Sequence, residues 1–157
     1  MKEVTGDLLA PALQDHFDVI VHGCNCFCTM GAGIAKNIKK QFPEAYAADQ
    51  ETLPADHAKL GSYSQASIVR GDARFIIVNA YTQYDWRGNS VKADYAAIRK
   101  VFASLRHEFA GLRIAYPLIG AGLARGDWHQ IAAIIAEELA GMDHTLVRLG
   151  ALVGQSA

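Results

Sequence analysis

The sequence is poor in cysteine, with three in 157 residues, all between Cys24 and Cys28. An odd number of thiols this crowded cannot build a disulfide framework, which excludes the small secreted scaffolds. It points to a reducing compartment, and the cytoplasm is the expectation. Cys24, Cys26 and Cys28 alternate with period two after His22, but they lack the two separated ligand pairs of a structural zinc site. No metal is therefore expected, and the thiols read as small buried hydrophobes. No run approaches the ~20 continuous apolar residues of a membrane helix. The first residues carry Glu3 and break at Gly6-Asp7, so they lack the charged and apolar regions of a signal peptide. No membrane partner is expected. Neither sign of charge is in excess: 15 Lys and Arg face 16 Asp and Glu, a formal charge of −1. That balance disfavours nucleic acid as a partner, because such binding rests heavily on phosphate neutralisation. Internal repeats and low-complexity tracts are also missing.

Apolar residues make up 51% of the chain and charged ones 20%, which suits a single domain over residues 1–157. Strand-like runs at 18–22, 66–69, 75–79, 113–119 and 144–149 alternate with helix-like stretches. Ile98, Val101, Phe102, Leu105 and Phe109 recur at spacings of three and four, the signature of an amphipathic helix. A second such helix starts near Asp127, with Trp128, Ile131, Ile134, Ile135 and Leu139 on one face. Asp127 suits its N-cap, Gln130 a capping-box partner and Gly141 its C-terminal stop. Residues 33–41 also read as helical, ended by Phe42-Pro43. The stretch 49–61 reads as a surface connection, and 84–89 as an exposed polar and aromatic loop. This alternation predicts an α/β fold: a three-layer α/β/α sandwich with a mixed, mostly parallel central sheet.

Fourteen glycines are present, and the informative ones cluster in two loops. The first runs from His22 to Lys36 and contains Gly31-Ala32-Gly33 between a strand and a helix. The second runs from Pro117 to Asp127 and contains Gly120-Ala121-Gly122, again between strand and helix. Helix N-termini offer free N–H groups to an anion, and glycine lets backbone approach a ligand closely. In a parallel sheet, both loops would wall one cleft beyond the carboxyl ends of the strands. Neither is a Walker A motif, since no Gly-Lys-Ser/Thr follows. Neither fits G-x-G-x-x-G either, because Lys36 and Arg125 stand where the third glycine belongs. A diphosphate held by backbone amides, without a metal cage or other cofactor, is the expected ligand.

Gly6-Asp7-Leu8-Leu9 after a first strand, HGCNCFCTMGAGIA, Asn79 to Gln83 and PLIGAGLARGDW together resemble the macrodomain family, from Val4 to about Leu149. The resemblance implies an ADP-ribose site. Asp7 would accept from the adenine amino group with the Leu8 backbone beside it. Gly31, Ala32, Gly33 and Ile34 would approach the diphosphate and distal ribose. Gly120, Ala121, Gly122, Leu123 and Ala124 would wrap the diphosphate from the other side, with Thr82 and Gln83 nearby. Asn25 would point at the distal ribose. The signature is similar to the branch holding the ADP-ribose 1″-phosphate phosphatases and the terminal ADP-ribose glycohydrolases. It departs from the glycohydrolases at both catalytic positions, where Gln83 replaces their lysine and Ala124 their aspartate. Ala35 likewise replaces the acid of the deacetylase-like members.

These residues imply a hydrolase of ADP-ribose 1″-phosphate or a related terminal ADP-ribosyl linkage. His22 would be its acid, base or nucleophile and Asn25 the orienter of ribose or water. The alternative is a reader module that binds ADP-ribose, or ADP-ribosylated macromolecules, without chemistry. His22 could equally brace a neighbouring loop, Asn25 its own turn, and Asp127 only its helix. Arg125 could pair with a phosphate or lie in solvent. Phe27, Tyr84 and Trp86 could stack on a ligand ring, and Lys92 could offer a polar contact.

Overall fold

The computed structural model describes residues 1–150. In chain order the elements are β1 (Lys2–Thr5), α1 (Leu9–Leu13), β2 (Val19–Cys24), α2 (Gly33–Gln41), α3 (Pro43–Gln50), a 3-10 turn (His57–Lys59), β3 (Tyr63–Arg70), β4 (Ala73–Tyr81), α4 (Tyr95–Glu108), β5 (Ile114–Tyr116), α5 (Trp128–Glu138) and β6 (His144–Arg148). The strands form one sheet in the order β1-β6-β5-β2-β4-β3. Every neighbouring pair is parallel except β3 with β4, so the mixed, mostly parallel sandwich is what the chain adopts.

Pleat alternation divides the core into two layers. Along β2, Val19 and Val21 pack with Ile98, Val101, Phe102 and Leu105 of α4 and with Ile131, Ile134 and Ile135 of α5. Ile20 and Cys24, of opposite parity, pack with Leu9 and Ala12 of α1, Ala35 and Ile38 of α2, and Ala45 of α3. The same rule sorts β4: Val78 and Ala80 face α4 and α5, whereas Phe75, Ile77 and Tyr81 face the first three helices. The spacing that predicts the apolar faces of α4 and α5 thus describes what those helices bury. Asp127 does cap α5, accepting from the His129 N–H at 3.0 Å, and Asp94 caps α4 in the same way through Ala97.

Two expectations need correction, and one element was not foreseen. Pro43 does not simply end a helix. It opens α3 as its first residue, where the missing N–H costs nothing. The stretch 49–61 is not all surface: Asp49 and Lys59 are buried, with Lys59 Nζ donating to the Cys26 carbonyl at 3.0 Å. Finally, α1 was not legible from periodicity, being five residues long and containing Pro11.

Candidate functional site

The carboxyl ends of the parallel strands open into a cleft of about 1300 Å³. The loop after β2 forms one wall, with Asn25, Thr29, Met30 and the run Gly31 to Ala35 leading into α2. The loop after β5 forms the other, with Pro117 to Gly120 and Gly122 to Arg125. Asp7, Leu8 and Leu9 close the end beside β1 and β6, joined by Val147 and Leu149. Gln83, Trp86 and Gly88, beyond β4, close the opposite end.

The second loop depends on glycine at two places. Gly120 has φ +74, in the left-handed region, and its carbonyl accepts from the Gly126 N–H at 2.6 Å. A Cβ on Gly126 would lie 2.4 Å from that same carbonyl oxygen. The pair pinches the loop shut, and residues 121–125 bulge over the cleft. Leu123 projects at the rim with 75% of its surface exposed.

Most of the sequence-derived ligand positions lie in the cleft wall: Asp7, Leu8, Gly31, Ala32, Gly33, Ile34, Gln83, Gly120, Gly122, Leu123 and Ala124. Thr82 and Ala121 do not line it. Thr82 is buried under Gly23, where a Cβ would sit 2.8 Å from its hydroxyl oxygen. Ala121 is partly buried and packs against the α4 and α5 layer. Cleft residues not singled out in the sequence include Asn37 and Gln41. With Ile34 they occur at spacings of three and four on α2, a polar extension of the ligand-facing stripe that the spacing could have revealed.

His22 stands apart from the cleft, which corrects its assignment as acid, base or nucleophile. Its parity is that of Ile20 and Cys24, so the ring points into the layer under α3 and is fully buried. Nε2 lies 2.6 Å from Asn79 Oδ1, so the neutral ring donates there. The Asn79 amide donates in turn to the Ala45 carbonyl at 2.9 Å and to Ser64 Oγ at 3.0 Å. Burial pushes the imidazole pKa down to about 4, against the opposing pull of the Asn79 hydrogen bond. The ring is a neutral strut between strands.

Asn25 does line the cleft, but its side chain is engaged at both ends. Nδ2 donates to Thr29 Oγ1 at 2.8 Å, and Oδ1 accepts from the Phe27 N–H at 2.8 Å. It braces the turn that carries Gly31. Asp7 Oδ1 accepts from the Leu9 N–H at 2.9 Å and starts α1. Gln83 donates to the Asp85 carbonyl, and Arg125 donates to the Asn89 carbonyl. Lys92 pairs with Asp85 at 3.2 Å and is absent from the cleft wall.

The three thiols are free and buried. Burial, with the Asp49 charge adding to it, pushes the Cys24 thiol well up, so it is no thiolate nucleophile. Cys28 Sγ lies 3.4 Å from Lys59 Nζ, in a polar pocket away from the cleft wall. Among the described residues, no cluster of His, Cys, Asp or Glu side chains is arranged to hold a metal.

A family model, the Macro domain, matches residues 21–135. The chain belongs to the macrodomain family. It is 36% identical over 141 residues to an uncharacterised 17.5 kDa protein of Enterobacteria phage T4, covering 86% of this chain and 87% of that protein. To the ADP-ribose glycohydrolase OARD1 of Bos taurus it is 32% identical over 143 residues, covering 89% and 84%. To a DNA ADP-ribosyl glycohydrolase of Mycobacterium tuberculosis it is 26% identical over 127 residues, or 81% of this chain, and spans 35% of that protein's length. Among solved structures, the macrodomain of Thermus aquaticus DarG shares the fold, with a TM-score of 0.71 at 22% identity, covering 96% of this chain and 97% of that one. The glycine loops of this macrodomain therefore sit within the matched segment, while Asp7 precedes it.

Proposed function

We propose that the cleft binds ADP-ribose and that the protein hydrolyses a bond at C1″ of its distal ribose. One observation carries the binding reading. Two strand–glycine–helix loops face each other across a single cleft, with the N-terminus of α2 opening into it. Backbone amides there would hold the diphosphate without a metal. Asp7 keeps Oδ2 clear of the Leu9 contact and would accept from the adenine amino group. The hydrolase names of OARD1 and of the mycobacterial relative support turnover.

The electrostatics narrow the substrate. Among the described residues, Asp7, Cys24 and Arg125 are the ionisable side chains of the cleft wall. Asp7 belongs to the adenine end and burial keeps Cys24 a neutral thiol, so among the described residues no carboxyl or imidazole waits at the distal ribose. A leaving group that departs as a stable anion needs none. ADP-ribose 1″-phosphate meets that requirement, as does a carboxylate ester of ADP-ribose. In this reading the loop amides stabilise developing charge, and the Asn25 turn holds the wall in place. The lack of a carboxyl or imidazole at the distal-ribose end, among the described residues, equally favours a second reading, a reader that binds ADP-ribose and releases it unchanged.

Calorimetry with ADP-ribose, alongside phosphate release from ADP-ribose 1″-phosphate, tests both. Binding with release that persists in His22→Gln is the expected result. Binding without release from the phosphate or an acyl ester establishes the reader, and no binding overturns the ligand assignment.

A further inference from the structure

Among the described residues the cleft wall carries one cationic side chain, and the contacts assigned to ADP-ribose leave it idle. Arg125, on the loop between β5 and α5, is exposed and lines the cleft. Its Nη1 donates to the Asn89 carbonyl at 2.9 Å, while Nε and Nη2 meet no acceptor among the described residues. Arg70, Arg87, Arg99, Arg113 and Arg148 each pair with a carboxylate, and Arg125 pairs with none among the described residues. Two features make this an unfavourable place for the residue. Its φ is +59, a left-handed conformation that strains a long side chain. It also lies two residues ahead of the Asp127 cap, near the positive end of the α5 dipole, where a cation is disfavoured and an anion favoured. A bound anion would satisfy the guanidinium and the helix end together.

The loop contacts fix which part of a ligand Arg125 meets. The Ala124 carbonyl accepts from the Lys92 and Ala93 N–H groups at 2.8 and 3.2 Å, which stitches this loop to the segment after β4. That segment closes the end of the cleft opposite Asp7. From β1 to β4 the sheet order counts four strand steps. At ~4.8 Å each they span roughly 19 Å. With adenine at Asp7, Arg125 stands by the distal ribose and the group attached at its C1″. The other charges at this end are already matched. Asp85 lies 3.2 Å from Lys92 Nζ and 3.6 Å from Arg87 Nη2, and Lys92 foremost holds its carboxyl below the usual range. Arg87 lies over the Phe27 and Trp86 rings, 5.1 and 5.3 Å from their centres, and those rings meet edge-to-face at 5.5 Å. Asp127 accepts from the His129 N–H.

We propose that Arg125 holds a phosphate dianion at C1″ and thereby selects ADP-ribose 1″-phosphate over a neutral 1″-ester. This assignment rests on the ADP-ribose reading and decides between the two leaving groups that it admits. The unpartnered edge of the guanidinium, Nε and Nη2, matches two phosphate oxygens in fork geometry. In the hydrolysis, water oxygen adds at C1″ and the C1″–O bonding pair leaves with the phosphate. The water proton ends on the product hydrogenphosphate. A phosphate carries charge for Arg125 from the moment it binds. An ester gains its charge only as the bond breaks.

The test measures binding by stopped-flow, before turnover, for ADP-ribose, its 1″-phosphate and its 1″-acetyl ester. The phosphate is expected to bind about tenfold tighter than the other two, with R125A abolishing the difference and R125K keeping only part of it. An ester that binds as tightly as the phosphate overturns the assignment. A preference for phosphate that survives R125A does the same. A loss equal for all three ligands also overturns it, making Arg125 a brace for the loop through Asn89. Wild-type binding of ADP-ribose with no preference for the phosphate removes this site and leaves the underlying reading standing. Failure of ADP-ribose itself to bind removes both.

Discussion

His22 shows how one residue type can suggest chemistry while its surroundings assign it support. A neutral, fully buried imidazole with a pKa near 4 has a consequence for stability. The unfolded chain takes up a proton below about 6.5, whereas the folded chain does so only near 4. Between those values the unfolded state binds more protons, so stability falls as pH drops through the window and levels off below it. The loss amounts to roughly 3 kcal/mol across the window. His22→Gln keeps a donor for Asn79 and has no such titration. Urea unfolding at several pH values should show wild type losing stability faster than the variant between pH ~6.5 and ~4, with parallel curves above. Parallel curves throughout would show that the ring is not held neutral. Nothing in the local sequence announces this role, because Asn79 is 57 positions away and only strand register brings it opposite. Asn25, by contrast, could be read locally, since both of its partners lie within four residues.

At the scale of elements, the loop between β5 and α5 separates shape from contact. Gly126→Ala would drive a Cβ against the Gly120 carbonyl, and also to 2.8 Å from Ala93 Cβ and 2.9 Å from Ile131 Cδ1. Overpacking of this kind costs about 1–3 kcal/mol, and the pinched loop must open to relieve it. Gly122→Ala meets nothing within 4 Å, yet Gly122 lines the cleft. Thermal melts should fall for Gly126→Ala and hold for Gly122→Ala, while ADP-ribose affinity falls in both. A stable Gly126→Ala protein with full affinity would contradict the pinch. Elements with strong periodicity, α4 and α5, were legible because their apolar faces are continuous. Short ones were not: α1 carries Pro11, and α3 follows α2 across a proline that reads equally as an end or a beginning. Trp86 was legible as a loop aromatic, but its bracing by Phe27, across nearly sixty positions, was not.

Over the whole molecule, protection from exchange should follow the layering. Val19, Ile20 and Val21 of β2 and Ile77, Val78 and Ala80 of β4 are buried between two helical layers. β1 is an edge strand of four residues, all exposed and held by β6 alone. Amide exchange is expected to be slowest in β2 and β4 and fastest among the strands in β1. A β1 as protected as β2 would mean that its edge is covered. The cleft is built where the stable strands end, so its walls are anchored in the part of the sheet that opens last.

The His22–Asn79 bridge also bears on descent. Two polar groups in a dry layer satisfy one another, and removing either leaves the other with a stranded dipole, whereas exchanging both for apolar groups of like shape can be nearly neutral. Lineages should therefore inherit the two positions as a single character, kept together or lost together. A histidine that looks preserved for catalysis would then be preserved by its partner.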